Sequence, residues 1–190
     1  RILELHDENI FKVFIYSFGL KKDKYTKFLE QQVSCFRMID NFDDSKAIEI
    51  IRDDNLDIAI DLMGYTKNNR MGLFSNRLAP IQINFLGFPS TTGSNQIDYL
   101  IADKILIPEE NKKYYTEKIL YMPNSYMPFN NQKRISSKTF TKLDFDLPHD
   151  SIVLAAFHKN KKITIIEIES WSRILDKSPK SILWISECDP

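Results

Sequence analysis

Short apolar runs that alternate with helix-sized segments are the feature that most constrains the fold of this chain. The runs KVFIYSF (12–18), CFRMI (35–39), LDIAIDLMG (56–64) and IQINFLGF (81–88) are rich in β-branched and aromatic residues. Helical spacing of apolar residues marks DKYTKFLEQQV and DDSKAIEIIRDD between them, and NNRMGLFSNRL fits a short helix. This alternation predicts βαβ units and a twisted, mostly parallel sheet, with LDIAIDLMG as a buried strand and DYLIAD and EKILYM as two further strands.

The pattern changes near residues 124–146, which are polar, aperiodic and contain Pro128, as a linker would. Beyond them SIVLAAF (151–157) and SILWIS (181–186) predict two strands. Between these strands, Thr164 and Glu167 form a capping box for a helix whose apolar face is Ile168, Trp171, Ile174 and Leu175. We therefore expect an α/β protein with most of one Rossmann-like domain in 1–135, incomplete at its start, and the beginning of a second in 136–190. Because the chain begins at Arg1 rather than Met, it is expected to be a piece of a longer protein.

Charge and cysteine content narrow the classes of function. Lys plus Arg and Asp plus Glu number 26 each, so no net field favours nucleic acid or an anionic membrane. No apolar run approaches the roughly 20 residues of a membrane span. Cys35 and Cys188 are far apart and are expected to be free thiols in a reducing, cytoplasmic compartment. The three histidines lie in unrelated contexts, so no metal site is predicted.

Three polar segments follow predicted strands, where ligands of parallel α/β sheets gather. The first is DLMGYTKNNR (61–70), in which Gly64 ends a strand and Tyr65 and Thr66 follow. The second is FLGFPSTTG (85–93), where Gly87 and Gly93 permit close backbone approach or positive φ and a run of hydroxyls follows Pro89. The third, FHKNKKIT (157–164), places lysines before a helix N-terminus and so suits a phosphate. The residues alone leave each segment open to a plainer interpretation, as a strand-to-helix turn, a tight connector and a solvated lysine turn.

The segment from Asp57 to Pro128 resembles the catalytic region of the O-linked N-acetylglucosamine transferase family, SPINDLY-like proteins included. That family shows D-L-x-G-Y/H-T, then R-x-A-P-I-Q-x-x-x-L-G-Y-P-G-T-S-G, D-Y-x-I-A-D and Y-x-E-K-x-x-Y-L-P, and each has a counterpart here in the same order. The stretches LELHDENIFKVFIYSFG and FHKNKKIT…WSRILDKSPKSILWI are similar to flanking parts of the same region. The resemblance thus extends over nearly the whole chain.

The resemblance implies a GT-B architecture that moves GlcNAc from UDP-GlcNAc to Ser or Thr hydroxyls of proteins, with inversion and without a metal or other cofactor. It implies that Gly87, Pro89 and Thr91 lie near the sugar and the acceptor. Asp61, Tyr65 and Thr66 would form a second wall of the cleft, and Lys162 would contact the nucleotide diphosphate. Members of the family commonly carry tetratricopeptide repeats upstream.

Departures from the family pattern keep alternatives open. Ser90 and Thr92 replace the usual Gly and Ser, and His158, Lys159 and Lys161 replace the usual residues before the lysine. The family's histidine-bearing loop would precede Arg1 and its H-x-T-T-G-x-D element lies downstream, so no catalytic residue is assigned and the chain alone is expected to be inactive. The alternatives are a GDP-fucose-using, SPINDLY-like protein O-fucosyltransferase and a non-catalytic, peptide-binding member of the same fold.

Overall fold

The chain forms two compact units, Arg1–Gln132 and Lys133–Pro190. The computed structural model describes residues 1–19, 22–132 and 134–186. Cys188 therefore lies outside the described residues, and Cys35 is a half-buried free thiol. No helix in the described ranges has both the length and the apolar character needed to cross a membrane.

The first unit alternates helices and parallel strands, as the sequence predicts. Its elements in chain order are α1 (Ile2–Leu5), β1 (Phe14–Ser17), α2 (Lys24–Glu30), β2 (Cys35–Met38), α3 (Asp44–Asp53), β3 (Ile58–Asp61), β4 (Ile81–Asn84), β5 (Tyr99–Ala102) and β6 (Lys118–Tyr121). Short 3-10 helices at Met71–Asn76 and Glu109–Tyr114 stand in two of the crossovers. Asp23 and Asp43 cap α2 and α3 through their carboxylates, each cap stabilising its helix by about 1 kcal/mol.

The strands of the first unit form two parallel ladders. One joins β1 to β2, and the other runs in the order β3-β4-β5-β6. Asp61 pairs with Asn84 in the second ladder, so the last residues of β3 and β4 lie side by side at its carboxyl edge. This register brings the segments that follow the two strands together.

The main core joins α3 and the 3-10 helix Met71–Asn76 to β3 and to Ile39, which directly follows β2. It is built from the buried residues Ile39, Ala47, Ile51, Ala59, Leu73, Leu78 and Ala79. The prediction that β3 is a buried strand is correct for one face only, because Ala59 and Asp61 are buried whereas Ile58 and Ile60 remain 46% and 49% exposed. Successive side chains of a strand point to opposite faces, so the two isoleucines lie on the face away from this core.

The described part of the second unit contains one βαβ unit, in which two parallel strands are joined by a helix. Its elements are β7 (Ile152–Ala156), α4 (Ile165–Lys177) and β8 (Ser181–Ile185), preceded by a 3-10 helix at Lys142–Phe145. The predicted capping box is confirmed, since Glu167 accepts hydrogen bonds from the backbone and hydroxyl of Thr164. The rings of Phe145 and Phe157 pack on Trp184, each with 5.0 Å between centroids.

Candidate functional site at the carboxyl ends of β3 and β4

The Asp61 turn (residues 61–66) is folded by the carboxylate at its start. Asp61 is buried and accepts hydrogen bonds from the backbone N–H groups of Met63 and Gly64, at 3.0 and 2.6 Å. Burial raises the pKa of Asp61, and the two backbone bonds only partly offset that rise. Both carboxylate oxygens are thus engaged within the turn, and Asp61 shapes this wall of the site rather than reaching out from it.

Two glycines allow the Asp61 turn to touch the Gly87 loop (residues 85–93). Gly64 has φ +53°, and a Cβ added there would lie 2.2 Å from the Cβ of Phe88. A Cβ on Gly87 would lie 2.3 Å from the carbonyl oxygen of Leu62. Real Cβ atoms do not come this close, so each glycine is required by the other segment. Close backbone approach, one of the two uses predicted for Gly87, is the one the structure shows.

The backbone leaves β4 through a strained turn just before Gly87. Leu86 has φ +78°, which an L-residue with a branched side chain seldom adopts. The Phe85 N–H donates to the Asp61 carbonyl at 2.9 Å, and the Gly87 N–H donates to the Phe85 carbonyl at 3.1 Å. Strain that the surroundings hold in place is a feature of functional loops, so this turn points to the same site.

Tyr65 connects the two segments from the solvent side. Its hydroxyl donates to the Thr92 carbonyl at 3.0 Å, and its ring meets that of Phe88 edge-on with 5.6 Å between centroids. Thr66 is half-buried, and its carbonyl accepts from the Asn69 side chain at 2.7 Å. Within the described part of the chain the Thr66 hydroxyl makes no hydrogen bond. Tyr65 and Thr66 thus flank the seam between the two segments.

Asn84 fixes the first half of the Gly87 loop and was missed by sequence reasoning. It is fully buried, and its Nδ2 donates to the carbonyls of Phe88 and Ser90 at 3.0 and 3.4 Å. The alternation of isoleucines with Gln82 and Asn84 was the available signal, but it does not show that both polar residues lie inside. Gln82 is equally buried, and its amide binds the backbone at Phe74, Leu78 and Gln96.

The second half of the Gly87 loop is fixed by Glu117, which sequence reasoning also missed. Glu117 Oε2 accepts from the Thr91 hydroxyl at 2.8 Å, and Oε1 accepts from the Thr92 N–H at 2.7 Å and from the Thr92 hydroxyl. Burial alone would raise the pKa of Glu117, but these hydrogen bonds outweigh it and hold the pKa below its usual value. The hydroxyl run that was expected to offer donors to a ligand therefore donates, at Thr91 and Thr92, to a carboxylate of the protein.

Arg70 ties the segment after the Asp61 turn to the first ladder. Its guanidinium binds the Asp44 carboxylate through two nitrogens at 2.9 and 2.6 Å and donates to the carbonyls of Ile39 and Phe42. A planar fork with several donors is suited to such a set of acceptors. The segment 61–70 is thereby held at its start by the Asp61 carboxylate and at its end by Arg70.

Lys162 lies in the second unit, whereas the other six predicted site residues lie in the first. It is exposed at the end of the 3-10 turn Asn160–Lys162, shortly before α4 begins. Among the described residues it makes no ion pair. The ring of the neighbouring His158 packs edge-on against Trp171, with 6.0 Å between centroids. The carboxylate of Glu167 already accepts the Thr164 N–H at the N-terminus of α4. The hydrogen bond from the Thr164 hydroxyl is the main cause of the lowered pKa of Glu167.

Comparison with known proteins identifies the kind of chain to which this site belongs. Residues 1–139 match the family model of glycosyl transferase family 41. The chain belongs to this family.

Relatives and a solved structure extend the likeness to nearly the whole chain. The chain is 32% identical to "Probable UDP-N-acetylglucosamine--peptide N-acetylglucosaminyltransferase SPINDLY" of Petunia hybrida, over 99% of this chain and 20% of that protein. It is 28% identical to "Probable UDP-N-acetylglucosamine--peptide N-acetylglucosaminyltransferase SEC" of Arabidopsis thaliana, over 97% of this chain and 19% of that protein. A mutant O-GlcNAc transferase of Thermobaculum terrenum superposes with a TM-score of 0.86 at 26% identity, over 97% of this chain and 34% of that one. The chain therefore spans about a fifth of the length of these curated relatives.

Membership in family 41 confirms the resemblance expected from the motifs, and the structural match confirms the α/β fold of GT-B type. The site assignments stay predictions. Among the seven residues, the structure brings Asp61, Tyr65 and Thr66 together with the Gly87 loop that carries Gly87, Pro89 and Thr91. In this family 41 chain, Glu117 stands in the Y-x-E-K motif, which was the sequence signal that could have revealed it.

Proposed function

We propose that the protein is a glycosyltransferase that moves N-acetylglucosamine from UDP-GlcNAc to Ser or Thr hydroxyls of proteins. The observation that carries the proposal is the match to glycosyl transferase family 41 over residues 1–139, which includes both segments of the site. The interlocked Asp61 turn and Gly87 loop support it, because they form a shaped wall at the carboxyl edge of a parallel sheet, where α/β proteins bind ligands.

In the proposed reaction the acceptor oxygen attacks the anomeric carbon of the sugar as the bond to UDP breaks. Attack from the opposite face inverts the configuration, and the hydroxyl proton passes to a base that is not assigned in this chain. Lys162 would pair with the diphosphate and offset the charge that develops on the leaving UDP. No metal or other cofactor is proposed, and the cytoplasmic location stays a prediction.

Donor choice is tested by sugar transfer to a mixture of Ser- and Thr-containing peptides. The protein is produced at the full length that its gene encodes and is supplied in parallel with labelled UDP-GlcNAc and labelled GDP-fucose. Transfer from UDP-GlcNAc with release of UDP is expected. Transfer from GDP-fucose alone would instead identify an O-fucosyltransferase, and peptide binding without any transfer would identify a non-catalytic member.

Lys162 is tested against its neighbour Lys159, which is an exposed lysine of the same turn. Lys162→Ala should lower kcat/KM for the donor by roughly tenfold or more, since charge-assisted contacts to phosphate are among the stronger hydrogen bonds. Lys159→Ala should lower it less. Equal activity of Lys162→Ala and the unsubstituted protein at subsaturating donor would remove Lys162 from the site.

A further inference from the structure

We propose that Glu117 is a positioning residue that sets the conformation of the Gly87 loop for sugar transfer, acting through the hydroxyls of Thr91 and Thr92. The inference rests on the proposed function, in which this loop faces the sugar. It assigns to Glu117 and the two threonines a role in building the loop rather than in binding the ligand.

Glu117 is a buried carboxylate whose side-chain partners come from the loop. It is 4% exposed, and it accepts from Thr91 through one oxygen and from Thr92 through the other. No Lys or Arg within residues 1–19, 22–132 and 134–186 forms an ion pair with it. Its charge is therefore met by O–H and N–H dipoles, and this holds only when residues 91 and 92 occupy their present positions. A buried charge deprived of its donors is costly, so the carboxylate strongly favours this one loop conformation.

The contact spans a large separation in the chain. Glu117 stands just before β6, whereas the loop leaves β4, so the carboxylate joins segments 25 residues apart. Thr91 also links the loop to the segment before β6. Its Oγ1 accepts hydrogen bonds from the N–H groups of Gly93 and Thr116, at 3.1 and 3.3 Å. The far half of the loop is thus fixed to the segment just before β6, whereas its near half is fixed by Asn84 at the end of β4.

Residues at the ends of three strands consequently hold the stretch from Phe88 to Thr92. Asn84 at the end of β4 binds two of its carbonyls, Tyr65 after β3 binds the Thr92 carbonyl, and Glu117 before β6 binds its donors. Pro89 lies between Phe88 and Ser90, the two residues whose carbonyls accept from Asn84. Losing one anchor should shift the loop without unfolding the sheet, and a shift of about 1 Å at a reacting centre can cost on the order of a hundredfold in rate.

The test compares Glu117→Gln with Glu110→Gln, an exposed carboxylate of the same connection. The glutamine keeps the volume but offers one accepting oxygen where the carboxylate offers two. We expect Glu117→Gln to lower kcat by roughly 10- to 100-fold with the thermal midpoint little changed, and Glu110→Gln to change neither. Activity of Glu117→Gln equal to that of the unsubstituted protein would overturn the proposal.

A second pair of variants separates positioning from folding. Thr92→Val keeps the buried shape and removes the hydroxyl, whereas Thr92→Ser keeps the hydroxyl. Positioning predicts that Thr92→Val loses activity and that Thr92→Ser largely retains it. Equal losses in both variants, in proportion to their losses of stability, would show that Glu117 serves the fold alone.

Hydrogen exchange of the loop amides distinguishes failure of this inference from failure of the proposed function. Faster exchange at residues 90–93 in Glu117→Gln, with exchange in β4 unchanged, supports the positioning role even if the unsubstituted protein transfers no sugar. Unchanged exchange at residues 90–93 overturns it in either case.

Discussion

Substituting Gly87 by alanine tests whether the Gly87 loop and the Asp61 turn depend on each other. The added Cβ would lie 2.3 Å from the Leu62 carbonyl oxygen and 3.2 Å from the Met63 Cα. A comfortable contact needs about 1 Å more than the shorter of these distances. Both neighbours are backbone atoms, so no side chain can rotate away, and one of the two segments must move by about that amount.

The expected magnitude follows from that displacement. Forcing an extra methyl into a packed site costs about 1–3 kcal/mol, more than the roughly 1 kcal/mol at most that alanine would cost at an unstrained connector glycine. Stability alone would therefore fall even if the loop did nothing but connect strands. If the loop shapes the sugar site, kcat/KM per folded molecule should fall by about a hundredfold as well, because the displacement lies next to the reacting groups.

Two other glycines provide controls. Gly93 has φ +66°, and no atom of residues 1–19, 22–132 or 134–186 lies within 4 Å of an added Cβ, so Gly93→Ala introduces backbone strain without a clash. Among the described residues, an added Cβ on Gly19 would meet only the Ser17 Oγ, at 3.9 Å, so Gly19→Ala should be nearly neutral. Thermal midpoint and kcat/KM are measured for all three variants. A Gly87→Ala midpoint no lower than that of Gly19→Ala would refute the close approach, and activity that falls only with the folded fraction would make the loop a plain connector.

Three further substitutions test the supports of the site. Asp61→Asn should remove a pH dependence: burial raises the pKa of Asp61, so its contribution to the unfolding free energy is largest at low pH and is lost as pH rises through the raised value. Carboxylates with lowered pKa values, such as Glu117, act in the opposite direction in both proteins. The test is therefore the difference in unfolding free energy between the unsubstituted protein and Asp61→Asn, which should fall as pH rises in urea titrations between about pH 3 and 7. Gln82→Leu should destabilise the first unit by about 3 kcal/mol, because the backbone groups that its amide binds lose their partners, and urea unfolding measures this directly. Arg70→Lys should cost about 1–2 kcal/mol, since lysine cannot make the forked contact with Asp44; a loss below about 0.3 kcal/mol would contradict the anchoring role.

Local patterns predicted the elements of the fold because strands and helices are local features. Apolar runs identified all eight strands in the described part of the chain, and the capping box of Thr164 and Glu167 identified the start of α4. The same patterns did not show which side chains are buried. Ile58 and Ile60 are exposed whereas Gln82 and Asn84 are buried, because burial is decided by elements that pack from elsewhere in the chain.

The site was predicted as three segments, but the interlocking of the two in the first unit was not predicted. Gly64, Gly87 and Tyr65 stand in recognisable motifs, and the family pattern marked their neighbourhoods. Nothing in the sequence spacing indicates that Phe88 would need the missing Cβ of Gly64, or that Thr92 would bind Glu117. Such contacts join residues about 25 positions apart, beyond the reach of periodicity and turn chemistry.

The mutual fit of Gly64 and Gly87 also bears on the order of events during folding. Each glycine makes room for the segment that follows the other strand, so neither segment can settle while its partner is still unformed. Both become possible only after β3 and β4 have paired, which requires closing the intervening chain first. The paired Asp61 turn and Gly87 loop are therefore acquired in one step with the β3–β4 ladder, and a partly folded chain that lacks this ladder has neither of them.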